Sequence, residues 1–235
     1  MPSYYTPEFI PDRKTYRLSG EEFHHLSHVK RISVGDVVKL NNGNGVLAEG
    51  KIKDLTKHHA EIEVLRTIEA EAPKSPFAIA FALLKNKHDE LLVEKCTELG
   101  ATAFYPLHTE YGVRNPSANT IQRFRRIALA AIKQCDNPYL PLIAESAELN
   151  MALQGIIAAG WQPVVCSERR PDMKVSSLQL QAPPCFMIGP EGGWKDTEFA
   201  LFSQLNLPEL CISPLILRAE TAAIAVAAQY ISLSF

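Results

Sequence analysis

The rhythm of apolar residues changes near residue 73. Before that point apolar and polar positions alternate, and Ala60-Glu61-Ile62-Glu63-Val64-Leu65 has the period of a half-buried strand. Val37-Val38-Lys39-Leu40 and Val46 to Ile52 flank Asn41-Asn42-Gly43-Asn44-Gly45, a strand–turn–strand pattern. A helix is predicted over Gly20 to Val29, with Ser19 or Gly20 near its start. The polar, proline-bearing stretch Glu69 to Pro76 reads as a linker. Beyond it the apolar residues come in blocks. Phe77 to Leu84 is continuous, Asp89 to Leu99 is an amphipathic helix that Gly100 can end, and Ala103 to Leu107 is a strand. A helix over Ile121 to Cys135 follows, then strands at Gln162 to Ser167, Cys185 to Ile188 and Glu209 to Ile212. The pattern predicts a β-rich domain over residues 1–72. Residues 73–235 form an α/β domain with a mostly parallel sheet covered on both faces.

Two segments carry candidate chemistry. Cys185 to Ile188 runs into Gly189-Pro190-Glu191-Gly192-Gly193-Trp194, and a helix pattern follows. The glycines permit positive φ and a close approach of backbone to a ligand, and Pro190 stiffens the loop. Such a loop stands at the carboxyl end of a strand, where open α/β sheets bind ligands. In the second segment, Leu210-Cys211-Ile212 leads through Ser213-Pro214-Leu215-Ile216-Leu217 to Arg218-Ala219-Glu220-Thr221. Ala222 to Leu233 is almost uncharged and is expected to be a helix buried on every side. Glu220 and Thr221 suit a helix N-terminus. Arg218 is left unexplained by that reading, unless it bridges to Glu220 or Glu191.

Composition removes several alternatives. At 46% hydrophobic and 21% charged residues, the 235-residue chain reads as globular. No apolar run is long enough to span a bilayer, and Met1 to Thr6 lacks the features of a secretory signal. The five cysteines are irregularly spaced, without a Cys-x-x-Cys pair, and read as buried thiols of a reducing cytoplasm. His24, His25 and His28 lack a neighbouring Cys or an acidic ligand in register, so no metal site is expected. There is no Gly-x-Ser-x-Gly elbow and no phosphate loop. Lys and Arg number 24 against 26 Asp and Glu. That balance argues against tight nonspecific RNA binding by one subunit.

The loops at 189–193 and 216–222 resemble those of the RsmE family of ribosomal RNA methyltransferases, in the trefoil-knotted SPOUT class. Two further stretches are similar in the same order. They are His24-His25-Leu26 to Gly35-Asp36-Val37, with Val29-Lys30-Arg31 between, and Leu83-Leu84-Lys85 to Glu94-Lys95-Cys96-Thr97-Glu98-Leu99-Gly100-Ala101. The resemblance implies an α/β protein with an N-terminal PUA-like β-barrel that helps hold RNA and a C-terminal α/β trefoil-knot methyltransferase domain. It implies S-adenosylmethionine in a bent shape, held by Ser167 with its neighbours, Ile188, Gly189, Pro190, Gly192, Gly193, Ile212, Leu215 and Leu217.

The acceptor so implied is N3 of a uridine in 16S ribosomal RNA. Arg218 is the candidate cation for charge developing on the uracil, and Glu191 or Glu220 the candidate proton acceptor. Lys30, Arg31 and Lys85 are candidate RNA contacts. The expected partners are ribosomal RNA or the small ribosomal subunit and a second copy of the chain, with no membrane. Leu215, Tyr111, Asn137 and Ser3 stand where the family tends to carry Arg. Lys195 replaces a helix-capping Ser, a role that Asp196 can take. Two alternatives are a methyltransferase acting on another RNA position and an RNA-binding assembly factor without catalysis. The retained motifs favour the enzyme.

Overall fold

The computed structural model describes residues 1–29, 32–112, 117–169 and 172–233, and of His28 and Val29 the backbone only. Two units emerge. One comprises Met1–Ala72 with Leu129–Leu140, and the other Pro73–Ala128 with Pro141–Phe235.

The first unit is built on strands β1 (Ser3–Tyr5), β2 (Thr15–Ser19), β3 (Val37–Asn41), β4 (Val46–Leu55) and β5 (His59–Glu69), with helix α1 (Gly20–His24) after β2. Their order is β1-β3-β4-β5-β2, antiparallel except for β1 beside β3. β1 and β2 are its two edges, so among the described residues the sheet is not closed by hydrogen bonds. Alternation does its expected work in β4, where Val46, Ala48 and Ile52 point into a core with Leu40, Ala60 and Ile62. The helix predicted over residues 20–29 differs in its second half, where His25–Val29 widens into a π-helical turn.

Residues 129–140 complete this unit through polar contacts. Asp136 pairs with Lys39, Lys133 Nζ lies 2.7 Å from Glu22 Oε1, and the Tyr139 hydroxyl donates to Ala70 O at 2.9 Å.

The second unit contains β6 (Ala78–Ala82), α2 (His88–Glu98), β7 (Ala103–His108), most of α3 (Ala118–Cys135), β8 (Leu142–Ile143) and β9 (Ala147–Glu148). It continues with α4 (Leu149–Ala158), β10 (Gln162–Cys166), β11 (Pro184–Ile188), α5 (Asp196–Gln204), β12 (Glu209–Leu210) and α6 (Ala219–Ser232). The strands run parallel in the order β12-β10-β11-β6-β7-β8, and β9 pairs farther along β7. Every residue of β6 and of β11 is buried. Helices cover both faces of a parallel sheet, which is why these strands read as continuous apolar runs. On one face Ala80, Val165 and Met187 pack with Leu153, Ile156, Phe199 and Phe202. On the other, Phe186 meets Tyr230 of α6 at 5.5 Å between ring centroids, and Phe81 meets Phe124 of α3 at 5.6 Å.

One expectation is overturned. Helix α6 buries a single stripe, Ala219, Glu220, Ala223, Val226 and Ala227, while Ala228 and Gln229 are exposed. An uncharged helix is compatible with burial on all sides but does not require it from its own chain.

Candidate active site

Strands β12, β10 and β11 are neighbours, so the loops that leave their carboxyl ends converge. They enclose a cleft of about 550 Å³, lined by 166–169, 188–194, 211–213 and 215–219, with Phe199 of α5 and Ala222 of α6. The cofactor residues expected from sequence, Ser167, Ile188, Gly189, Pro190, Gly192, Gly193, Ile212, Leu215 and Leu217, are brought together on its walls.

Each loop is held by contacts of its own. After β10, the Ser167 hydroxyl accepts the Arg169 N–H at 3.0 Å. The Arg169 guanidinium lies 3.6 Å from the centroid of the Phe199 ring and donates to Asp196 Oδ1 at 3.0 Å. After β11, Gly193 takes φ +74°, and its N–H donates to Pro190 O at 2.8 Å. Gly189 and Gly192 do not use positive φ; their need for glycine is one of space. A Cβ at 189 would lie 3.1 Å from the Trp194 indole, and one at 192 would lie 3.2 Å from Tyr111 Cβ. After β12, Leu215 N–H donates to Ser213 Oγ at 3.0 Å, and Gln229 of α6 donates to Ile212 O at 3.0 Å. Leu215 and Ile216 nevertheless stand 74% and 90% exposed at the cleft.

The charged candidates fall into different places. Arg218 lines the cleft, is exposed, and makes no ion pair among the described residues. It is the N-cap of α6, and its carbonyl accepts the Ala222 N–H at 2.8 Å. The bridge to Glu220 or Glu191 considered from the sequence does not form among the described residues. Glu191 lines the cleft, and its Oε1 accepts the Lys85 N–H at 2.8 Å. Glu220, expected beside it as a catalytic carboxylate, is not among the lining residues. Its side chain is 9% exposed and lies 2.8 Å from His88 Nδ1. A buried carboxylate needs such a partner. Lys85 is exposed, in a 3-10 turn over Lys85–Lys87. Lys30 and Arg31 lie outside the described residues.

Sequence reasoning did not single out Arg169, which lines the cleft, or His88, which pairs with Glu220; Cys166 and Trp194, named from the sequence only as neighbours of the loops, also line the cleft. Burial pushes the Cys166 and Cys185 thiols well above the usual range. They stay protonated, which argues against thiolate chemistry here. The capping expectation is also corrected. The N-cap of α5 is Lys195, and the buried Glu198 carboxylate, not Asp196, accepts its N–H at 2.7 Å and that of Glu110 at 3.2 Å. The Lys95 and Lys195 ammonium groups are raised above their usual range, first by the hydrogen bonds they donate to the Glu94 and Glu110 carboxylates respectively.

Positions that depart from the arginine pattern carry local duties. Tyr111 covers Gly192, and Asn137 Oδ1 accepts the Tyr139 N–H at 2.9 Å within the first unit. Among the described residues no cluster of three or more His, Cys, Asp or Glu is placed to hold a metal ion, and no helix is long and apolar enough to cross a membrane.

Residues 70–231 match the RNA methyltransferase domain family, and residues 18–65 match the RNA methyltransferase PUA domain. The chain is 31% identical over 222 residues to ribosomal RNA small subunit methyltransferase E of Synechocystis sp., covering 92% of this chain and 72% of that one. It is 26% identical over 231 residues to the protein of the same name from Rickettsia conorii, covering 96% and 93%. The crystal structure of ribosomal RNA small subunit methyltransferase E from Neisseria gonorrhoeae bound to S-adenosyl methionine superposes with a TM-score of 0.89. The two share 25% identity over 99% of this chain and 98% of that one. The fold is thus a PUA-like domain followed by an α/β domain of the SPOUT class.

Proposed function

Because the chain belongs to the RNA methyltransferase family, we propose that it methylates N3 of a uridine in 16S ribosomal RNA, using S-adenosylmethionine. One observation carries the reading. Three loops from adjacent strands form a cleft of about 550 Å³, and Leu215 and Ile216 stand in it 74% and 90% exposed, without apolar cover among the described residues. That volume is within the roughly 300–1,000 Å³ of small-molecule sites. Apolar walls with bare backbone at Gly189, Gly192 and Ile212 suit an adenine ring, which needs a slot and a few backbone donors and acceptors.

The bound cofactor supplies an electrophilic methyl group on a sulfonium sulfur. The protein must then orient the uracil and manage the charge that grows as N3 gives up its proton. Arg218, exposed on the cleft and without an ion pair among the described residues, is available as the cation facing that charge. Glu191 is the proton acceptor best supported by position, since it lines the cleft while Glu220 is engaged by His88.

The PUA-like unit helps hold the RNA in this reading, with Lys85 contributing from the second unit. The exposed face of α6 and the bare Ile216 support a homodimer, and the work is done in the cytoplasm on the small ribosomal subunit.

The deciding experiment is mass analysis of 16S RNA from cells with and without the gene. One N3-methyluridine should disappear on deletion and return when purified protein and S-adenosylmethionine are added to the unmethylated RNA. An unchanged nucleoside profile would refute the assignment.

A further inference from the structure

The turn between β6 and α2, with the first residue of α2, touches both the glycine loop and the first turn of α6. β6 lies beside β11 in the sheet, so the chain leaving β6 runs next to the glycine loop. There the Lys85 N–H donates to Glu191 Oε1 at 2.8 Å. Three residues on, His88 Nδ1 lies 2.8 Å from Glu220 Oε1 in the first turn of α6. Between these contacts Asn86 and Lys87 take φ +54° and +62°, two consecutive left-handed residues without a glycine. Side chains other than glycine keep such backbone only where the surroundings over-determine it.

We propose that this turn is a brace that presets the glycine loop and the start of α6, with His88 as a positioning residue that acts on Arg218 through Glu220. Glu220 follows Arg218 by two residues, and Ala219 and Ala222 on either side of it line the cleft. Its side chain is 9% exposed and that of His88 32%, so the carboxylate has little water to turn to if the imidazole is removed. Losing that partner lets the first turn of α6 shift, and the guanidinium that faces the substrate shifts with it. A misplacement of about 1 Å costs up to about a hundredfold in rate. The catalytic half of the inference rests on the methyltransferase reading; the brace itself does not.

The test compares His88→Asn, whose amide nitrogen falls near the place of Nδ1, with His88→Gln, whose amide falls near that of Nε2. His88→Leu serves as the full deletion of the contact. Amide hydrogen exchange over residues 219–222 of the cofactor-free protein reads the brace directly. Single-turnover methylation at saturating RNA reads its consequence.

Exchange should speed up in the Gln and Leu variants and stay near wild type in Asn. The single-turnover rate should fall by about ten- to a hundredfold in Gln and Leu, with KM for RNA little changed and most of the rate recovered in Asn. Asn and Gln variants with equal exchange and equal rates would overturn the proposal. So would a loss confined to KM. The expected exchange pattern across the variants, with a wild-type protein that methylates no ribosomal RNA, would refute the proposed function and leave the brace standing.

Discussion

Arg218→Ala separates a catalytic guanidinium from a structural one, because the structure sets the two expectations far apart. The side chain is exposed and has no ion pair among the described residues. Its fixed duty is a backbone one, since the Arg218 carbonyl accepts the Ala222 N–H at 2.8 Å and alanine keeps that bond. Loss of the side chain should therefore change folding stability by no more than about 0.5 kcal/mol, the range of surface substitutions. Removal of a donor to charge in the transition state costs about a hundredfold or more in rate, roughly 2.7 kcal/mol and upward. The gap of about 2 kcal/mol exceeds the error of either measurement. Urea unfolding gives the first quantity, and single-turnover methylation at saturating RNA and cofactor the second. Calorimetry with S-adenosylmethionine checks that the cleft still binds. Arg218→Lys keeps the charge without the planar fork and should fall between wild type and alanine. A folded Arg218→Ala protein with a single-turnover rate near wild type would refute the catalytic role.

Gly50→Ala should destabilise the first unit by about 1–3 kcal/mol, because its Cβ would lie 2.3 Å from Ile62 Cγ2 and 3.2 Å from Glu63 O. An unfolding midpoint equal to wild type in urea would contradict this. Alkylation of the native protein at mildly alkaline pH should label Cys135 and Cys211 before Cys96, Cys166 and Cys185, whose thiols burial holds well above their usual range. Peptide mapping decides, and early labelling of Cys185 would show that the sheet opens. Tyr4 is pushed up to about 12 from 10.0, first by burial and then by the Glu22 carboxylate. Between those values the unfolded chain loses the phenolic proton and the folded one keeps it, so stability should fall as pH rises through this window. Tyr4→Phe should flatten that fall, and an unchanged slope would remove Tyr4 as its source.

Two of the three cleft loops were legible because their signals are local. An apolar run, a bare loop and the start of a helix lie within a few residues at Cys185 to Trp194 and again at Leu210 to Ala223. Periodicity likewise separated the alternating strands of the first unit from the continuous strands of a two-sided parallel sheet. Resemblance added what local pattern lacks, the identity of a cofactor and an acceptor. The extent of α6 burial was not legible, since an uncharged helix has the same composition whether its outer face meets its own chain or not. Capping at α5 was misread because Asp196 satisfies the local rule, while Glu198 wins by reaching two backbone N–H groups at once.

Glu191 and the Lys85 N–H are 106 residues apart, and only the insertion of β11 between β10 and β6 makes them neighbours. His88 and Glu220 are likewise far apart in the chain and meet only in the folded second unit, as Asp136 and Lys39 do in the first. By itself the sequence determined which segments become strands, helices and bare loops, because those choices follow from side-chain period and backbone freedom over a few residues. Strand order alone decided which loops meet and which carboxylate stays on the cleft, because burial and pairing depend on neighbours that the chain supplies from far away.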